Sequence, residues 1–294
     1  MIPVFIVAAP RSGTTFLAEL FNKHPQVASW HEPYFIWQYH LGKRDDDLLT
    51  ANDVTPKVEK FVRKEFKKFS HLSNKPVLLE KTPVNAFKID FINAIFPDAK
   101  WIHLYRNGHG VINSLKQRYQ RRYEIVNNKS IKKFIEDVKY TLVSQPFWRH
   151  RFLAMLYELK TLDHLSPYCP TARREDVIFG PRYPGWKQDR ENLSDIEFMA
   201  KQWVESELTI EKAVQQIPVS SRIEVRYEDL VTQPKQQLEI ICKHLELECT
   251  PLYPACSKIR TSSIEKWRSG LDDNEVELIK PIITDALTKL GYIT

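Results

Sequence analysis

The eight residues that follow Met1, Ile2 to Ala9, are all apolar, and they run straight into Pro10-Arg11-Ser12-Gly13-Thr14-Thr15-Phe16. A short apolar run stopped by a proline reads as a buried strand. From Gly13 to Lys23 apolar residues recur at spacings of three and four, which reads as a helix. The loop between them is where an anion cradle belongs. A helix start leaves backbone N–H groups unpaired and carries a partial positive charge, and Gly13 lets the backbone come close to an anion. Ser12, Thr14 and Thr15 add hydroxyl donors, while Arg11 adds a planar, permanently charged fork able to grip two oxygens.

The loop departs from the nucleoside-triphosphatase pattern GxxxxGK[ST] at two places. Ala8 stands where the first glycine belongs, and Thr14 stands where the lysine belongs. Without a lysine to reach terminal phosphates, an ATP-dependent phosphotransferase becomes the weaker reading. A basic turn capped by Ser and Thr is the bland alternative.

Further strands are predicted at Pro76 to Leu79, Lys100 to Tyr105 and Arg222 to Arg226, in addition to Pro3 to Ala8. Helical patterns at Asn85 to Ile95, Gly108 to Tyr119 and Ser194 to Gln216 lie between them, and Ser194 with Glu197 forms a capping box. Asp272 to Leu290 reads as a terminal helix begun by an Asp-x-x-Glu cap. Strands alternating with helices predict an α/β fold with a P-loop-like central parallel sheet flanked by helices. With 294 residues, 43% of them hydrophobic, a single domain over 1–294 can bury a large core. The region from Tyr123 to Asn192 breaks the alternation. Its first part, to Asp163, is helical in pattern and rich in basic and aromatic residues. The part from Ser166 is a long proline-containing segment, and the whole reads as an acceptor-side insertion covering the site.

The formal charge of +6 is spread among interspersed acidic residues and suits an anionic ligand, nucleotide or polyanion alike. Ile2 to Ala9 is too short for a signal peptide and has no basic region before it. No stretch approaches the ~20 apolar residues of a membrane span, so a cytoplasmic chain is expected, although one relieved of a membrane anchor would read the same. Cys169, Cys242, Cys249 and Cys256 form no CxxC pair and read as ordinary thiols, a disulfide being the lesser alternative.

Arg11 to Phe16 resembles the 5′-phosphosulfate loop of the sulfotransferases that use 3′-phosphoadenosine 5′-phosphosulfate (PAPS). That loop reads Lys or Arg, then Ser-Gly-Thr-Thr, then an aromatic or aliphatic residue. The arginine, the trailing His24-Pro25 and the glutamate soon after are more similar to the carbohydrate and tyrosylprotein branches than to the cytosolic steroid and phenol branch. The resemblance runs from Pro3 to Tyr292 and is diffuse between Tyr123 and Asn192.

The resemblance implies a donor site at Arg11, Ser12, Gly13, Thr14, Thr15 and Phe16, with a second anchor for the 3′-phosphate. Family members place an arginine after a strand and a serine eight positions later, which carries over to Arg106 and Ser114. An arginine at a strand end grips phosphate in bidentate fashion, and a serine two helical turns on donates to another oxygen. Read alone, Arg106 is as well a surface charge and Ser114 a packing residue. Val225-Arg226-Tyr227-Glu228-Asp229-Leu230 resembles the family's Tyr-Glu-Asp-Leu segment, which puts Tyr227 near adenine; a core-filling tyrosine is the alternative. Glu265-Lys266-Trp267-Arg268 resembles the Lys-Trp segment before the last helix, and Lys266 or Arg268 is expected at the 3′-phosphate.

Sulfonate transfer needs a base, a charge clamp and positioning. Glu32, in His31-Glu32-Pro33, matches the tyrosylprotein branch's base in its distance from the loop arginine. His31 is its rival, but adjacent residues of an extended segment point to opposite sides. A structural ion pair is the other reading of Glu32. Arg11 and Lys81 are expected to stabilise charge on the bridging and sulfonate oxygens. No metal is expected, since there is neither an HExxH motif nor a carboxylate cluster. The acceptor is a hydroxyl compound, possible classes being carbohydrate, lipid, small aromatic and peptide tyrosine. Trp30, Tyr34, Trp37, Tyr39, Tyr183 and Trp186 are candidates to stack on it. A non-catalytic polyanion-binding module built on Arg118, Arg121, Arg122, Lys129, Lys132 and Lys133 is the rival from another class, without a nucleic-acid motif to support it.

Overall fold

The structure, a computed structural model, describes residues 1–42, 44–127 and 179–293. Five parallel strands, β1 (Ile2–Val7), β2 (Val27–His31), β3 (Val77–Lys81), β4 (Lys100–Tyr105) and β5 (Arg222–Arg226), form one sheet in the order β2-β3-β1-β4-β5. Four of these match predicted strands. The fifth, β2, was not predicted: it is an edge strand of five residues, VASWH, whose Ser29 and His31 break the apolar run. Its register with β3 sets His31 opposite Lys81, and so delivers the next residue, Glu32, to the end of the sheet.

Both faces of the sheet are covered, which is why its strands are apolar at successive positions rather than alternate ones. Val4, Ile6, Ala8, Val77, Leu79, Ile102 and Leu104 form one core cluster with α1 (Thr14–Phe21). Phe5, Val7, Trp30, Leu78 and Trp101 form the other, with α2 (Pro56–Ser73), α3 (Ile89–Ile95), α4 (Gly108–Asn127) and α5 (Asp195–Val214). Leu238 and Ile241 of α6 (Pro234–Leu245) join the first cluster; Ile279 and Ile283 of α7 (Asp273–Lys289) join the second.

Helix α2 went unpredicted although its start is legible. Thr55 accepts a hydrogen bond from the Val58 N–H at 3.3 Å and Pro56 occupies the first helical position. Charged residues are frequent in the segment and interrupt its apolar stripe, whose buried members are Val58, Val62, Phe66 and Phe69. The single helix predicted over Asn85 to Ile95 is broken at Lys88, where a 3₁₀ turn (Pro83–Phe87) ends before α3 begins. Both predicted capping boxes, Ser194 with Glu197 and Asp272 with Glu275, are formed.

The predicted insertion falls largely outside the described residues, as does Cys169. At its described end, residues read as loop include a short helix, Trp186–Asn192, started by Gly185 at φ 87°. A methyl group at Gly180 would come within 3.3 Å of Pro10, which places this end of the segment beside the first loop. No described helix is long and apolar enough to cross a membrane. Cys242 and Cys249 are buried free thiols, and burial pushes both thiol pKa values up.

Candidate active site

Gly13 caps α1 with φ 99°, and a Cβ there would sit 2.6 Å from the Tyr227 ring, so both its conformation and its neighbour demand glycine. The Leu17 N–H donates to the Gly13 carbonyl at 3.1 Å, leaving the N–H groups of Thr14, Thr15 and Phe16 without intrahelical acceptors. Ser12 is fully buried, and among the described residues its Oγ has no hydrogen-bond partner. A buried, unsatisfied donor at a helix start fits an anion that would complete it. Thr14 is also buried, while Phe16 packs half-buried against the first core cluster.

Arg11 takes a left-handed backbone, φ 70°, and its Nε donates to Ser114 Oγ at 3.0 Å. Burial, then the nearby Arg118 and Arg106, lower the Arg11 pKa, and Glu32 opposes them. Arg106 is buried. Its guanidinium lies 4.4 Å over the Tyr227 ring and donates to the Arg11 carbonyl at 3.2 Å and the Ser263 carbonyl at 2.8 Å. The Tyr227 hydroxyl meets Ser263 Oγ at 2.8 Å. Thus Arg11, Arg106, Ser114 and Tyr227, drawn from three parts of the chain, converge on one place.

On the other side of the loop, Lys81 is 2% exposed and its Nζ donates to Glu32 Oε1 at 2.5 Å and to Thr15 Oγ1 at 3.0 Å. The Glu32 N–H donates to the Lys81 carbonyl at 2.8 Å, and Tyr34 Oη reaches Glu32 Oε2 at 3.4 Å. The alternation expected of an extended segment does not apply here, because Glu32 has φ 51° and bends the chain. Burial, then Lys81, lower the His31 pKa against the opposing pull of Glu32, which keeps the imidazole neutral. The ion pair supplies a carboxylate and an ammonium at the rim of the loop.

The Arg11 side chain reaches Ser114, while Glu32, the partner of Lys81, also acts on its charge. Lys266 is exposed, three residues after Ser263, whose carbonyl accepts from Arg106. Arg268 instead pairs with Glu265 and lies 4.6 Å from the Trp267 ring. Of the aromatic candidates for stacking, Trp30 and Trp37 are fully buried in the core, Tyr183 is buried with its hydroxyl on Asp189, and Tyr39 stacks on Phe61. Tyr34 alone among them is joined to Glu32 by a hydrogen bond in the structure.

Several residues escaped the sequence reading. Glu80, fully buried on the opposite face of β3 from Lys81, accepts hydrogen bonds from Trp37 Nε1 at 3.1 Å, Asn85 Nδ2 at 2.8 Å and the Thr82 hydroxyl. It therefore joins the turn after Lys81 to the segment after Glu32. Burial pushes its carboxyl up to about 7, against those hydrogen bonds and Lys81. Arg118, expected only as part of a basic run, lies one helical turn from Ser114, and its charge lowers the Arg11 pKa. The rest of that run lies outside the residues whose side chains are described. Among the described residues no group of His, Cys, Asp and Glu is placed to hold a metal ion.

This chain is similar to known proteins in three respects. It is 25% identical to the nodulation protein NoeE of Sinorhizobium fredii over 39% of its own length and 31% of that protein's. It is 26% identical to protein-tyrosine sulfotransferase A of Caenorhabditis elegans over 39% of its length and 33% of that protein's. The matches thus cover about a third of these curated relatives. Its fold is that of the sulfotransferase domain from the curacin biosynthetic pathway, with a TM-score of 0.53, 15% identity and 96% of each chain covered. It is likewise that of the sulfotransferase domain from the Synechococcus PCC 7002 olefin synthase, with a TM-score of 0.51, 18% identity and 95% and 94% covered. Finally, the profile of the sulfotransferase family matches residues 3–164 and 171–251. With that profile running along most of its length, the chain belongs to the sulfotransferase family.

Proposed function

We propose that the chain moves a sulfonate group from PAPS to a hydroxyl acceptor, with Glu32 as the base. The observation that carries this reading is the convergence of Arg11, Arg106, Ser114 and Tyr227 beside a loop whose buried Ser12 hydroxyl lacks a partner among the described residues. Two anion grips within reach of one another suit a nucleotide bearing phosphates on both its 5′ and 3′ positions.

In this reading the N–H groups at the start of α1, with Ser12, Thr14 and Thr15, hold the 5′-phosphosulfate, while Arg106 and Ser114 hold the 3′-phosphate and Tyr227 lies near adenine. Lys81, donating to Glu32 Oε1 at 2.5 Å, fixes where that carboxyl group sits. Glu32 then takes the hydroxyl proton as the acceptor oxygen bonds to sulfur, and the bond from sulfur to the bridging oxygen breaks with its electron pair left on the phosphate. Lys81, 3.0 Å from Thr15 Oγ1, is placed to meet that growing charge. Lys266 or Arg268, in the segment whose Ser263 carbonyl accepts from Arg106, is the further cation proposed for the 3′-phosphate. The acceptor class stays open among carbohydrate, lipid, small aromatic and peptide tyrosine; the protein-tyrosine sulfotransferase relatives put a phenolic hydroxyl on the panel to be tried.

The test is a thermal-shift comparison of 3′,5′-diphosphoadenosine, ATP with and without Mg²⁺, and NAD, followed by sulfate transfer across an acceptor panel. Stabilisation by the diphosphoadenosine, independent of Mg²⁺, is expected. Mg²⁺-dependent stabilisation by ATP alone would replace this reading with the phosphotransferase one.

A further inference from the structure

Arg106 has to present its guanidinium at a fixed place, yet it sits at the junction of β4 and α4, where the chain changes direction. Two neighbouring residues of another segment hold that junction. Tyr227 lies beneath the Arg106 guanidinium, and the next residue, Glu228, accepts a hydrogen bond through Oε1 from the N–H of Asn107, the residue after Arg106, at 3.1 Å. Asn107 in turn caps the helix that carries Ser114: its Oδ1 accepts from the His109 N–H at 3.0 Å. The second oxygen of Glu228 accepts from the Tyr292 hydroxyl at 2.7 Å and faces Arg226 at 3.7 Å. Arg226 lies 4.1 Å over the Tyr292 ring, and the Tyr105 ring, just before Arg106, is edge-on to Tyr292 at 6.1 Å. Burial and the Glu228 charge push the Tyr292 phenol pKa up, so it remains a donor.

We infer that Glu228 is a positioning residue for the 3′-phosphate grip, holding through the Asn107 N–H the turn that aims Arg106 and starts the helix bearing Ser114. The carboxylate touches neither Arg106 nor Ser114 directly. Its hold on the backbone between them joins the β4–α4 turn to the end of β5 and to Tyr292. This inference rests on the reading of Arg106 and Ser114 as the 3′-phosphate site.

Calorimetry with 3′,5′-diphosphoadenosine and with 5′-AMP, which lacks the 3′-phosphate, tests it. Glu228→Ala is expected to weaken diphosphoadenosine binding roughly tenfold while changing 5′-AMP binding less than about twofold. Glu228→Gln keeps a carbonyl for the Asn107 N–H and is expected to restore diphosphoadenosine binding to within about threefold of wild type. Equal losses for the two nucleotides, or no rescue by Gln, would overturn the inference and leave Glu228 a general support of the fold. Should Glu228→Ala not fold, Tyr292→Phe decides the matter: a selective loss of roughly threefold is expected, and an unselective or absent loss overturns the inference. If wild-type protein binds the two nucleotides equally, the 3′-phosphate site itself is wrong and the inference falls with it. If wild type discriminates and the Glu228→Ala variant discriminates as well, only the role of Glu228 is lost.

Discussion

Replacing Gly13 with alanine should damage both stability and donor binding, by an amount that the structure sets. The backbone at Gly13 has φ 99°, and left-handed geometry costs an L-residue roughly 1–2 kcal/mol. The added methyl also meets Tyr227 Cδ2 and Cε2 at 2.6 Å, closer than carbon atoms can approach. The ring cannot swing away freely, since its hydroxyl is bonded to Ser263 Oγ at 2.8 Å and its face carries the Arg106 guanidinium at 4.4 Å. Breaking that hydrogen bond and that cation–π contact costs about 1 kcal/mol each, so Gly13→Ala should cost about 3 kcal/mol in urea denaturation. A double-mutant cycle isolates the contact. In a Tyr227→Ala background the ring is gone, only the backbone cost remains, and the coupling between the two sites should be about 2 kcal/mol. Strict additivity of the two changes, or a Gly13→Ala variant within about 0.5 kcal/mol of wild type, would refute the argument.

Glu32→Gln should abolish sulfate transfer and leave diphosphoadenosine binding nearly intact; activity equal to wild type would remove Glu32 from its role. The same pair should be asymmetric in stability. Glu32→Ala strands the buried ammonium of Lys81 at a cost of roughly 1–3 kcal/mol, while Lys81→Met leaves a partly exposed carboxylate that water can solvate and should cost less, as denaturant midpoints would show. Arg106→Ala should weaken diphosphoadenosine far more than 5′-AMP in calorimetry, because only the former carries a 3′-phosphate. Glu80 predicts a pH dependence. With its folded pKa raised to about 7, it binds a proton that the unfolded chain releases near the ordinary carboxylate value of about 4.3. Its contribution is therefore fully present below that lower value and is lost as pH rises through 7, an order of 3 kcal/mol that should be missing from the stability–pH slope of Glu80→Gln.

The parts of the site that were legible in the sequence are those that local geometry decides. A glycine between an apolar strand and an amphipathic helix, with arginine before it and hydroxyls around it, implies an anion cradle wherever that segment lies. The interval from Arg106 to Ser114 is likewise held by one strand end and one helix pitch. Five strands were within reach of the same reasoning, yet β2 was missed because an edge strand needs only a partial apolar pattern. Lys266 and Arg268 show what a segment's chemistry leaves open: their place before the final helix was legible, but the direction of two exposed side chains is not encoded in local pattern.

What the amino-acid order determined by itself, then, is the strand, loop and helix at the start, the alternation behind an α/β sheet, and the identity of groups able to hold anions. Only the tertiary structure decided which of them meet. Arg11 reaches Ser114 across 103 positions, Arg106 reaches Ser263 across 157, and Asn107 reaches Glu228 across 121. Those meetings depend on strand order, which brings β1, β4 and β5 side by side although long segments separate them in the chain. Side-chain chemistry acts over a few ångströms, so residues remote in sequence acquire a shared function only once the sheet has set their distance.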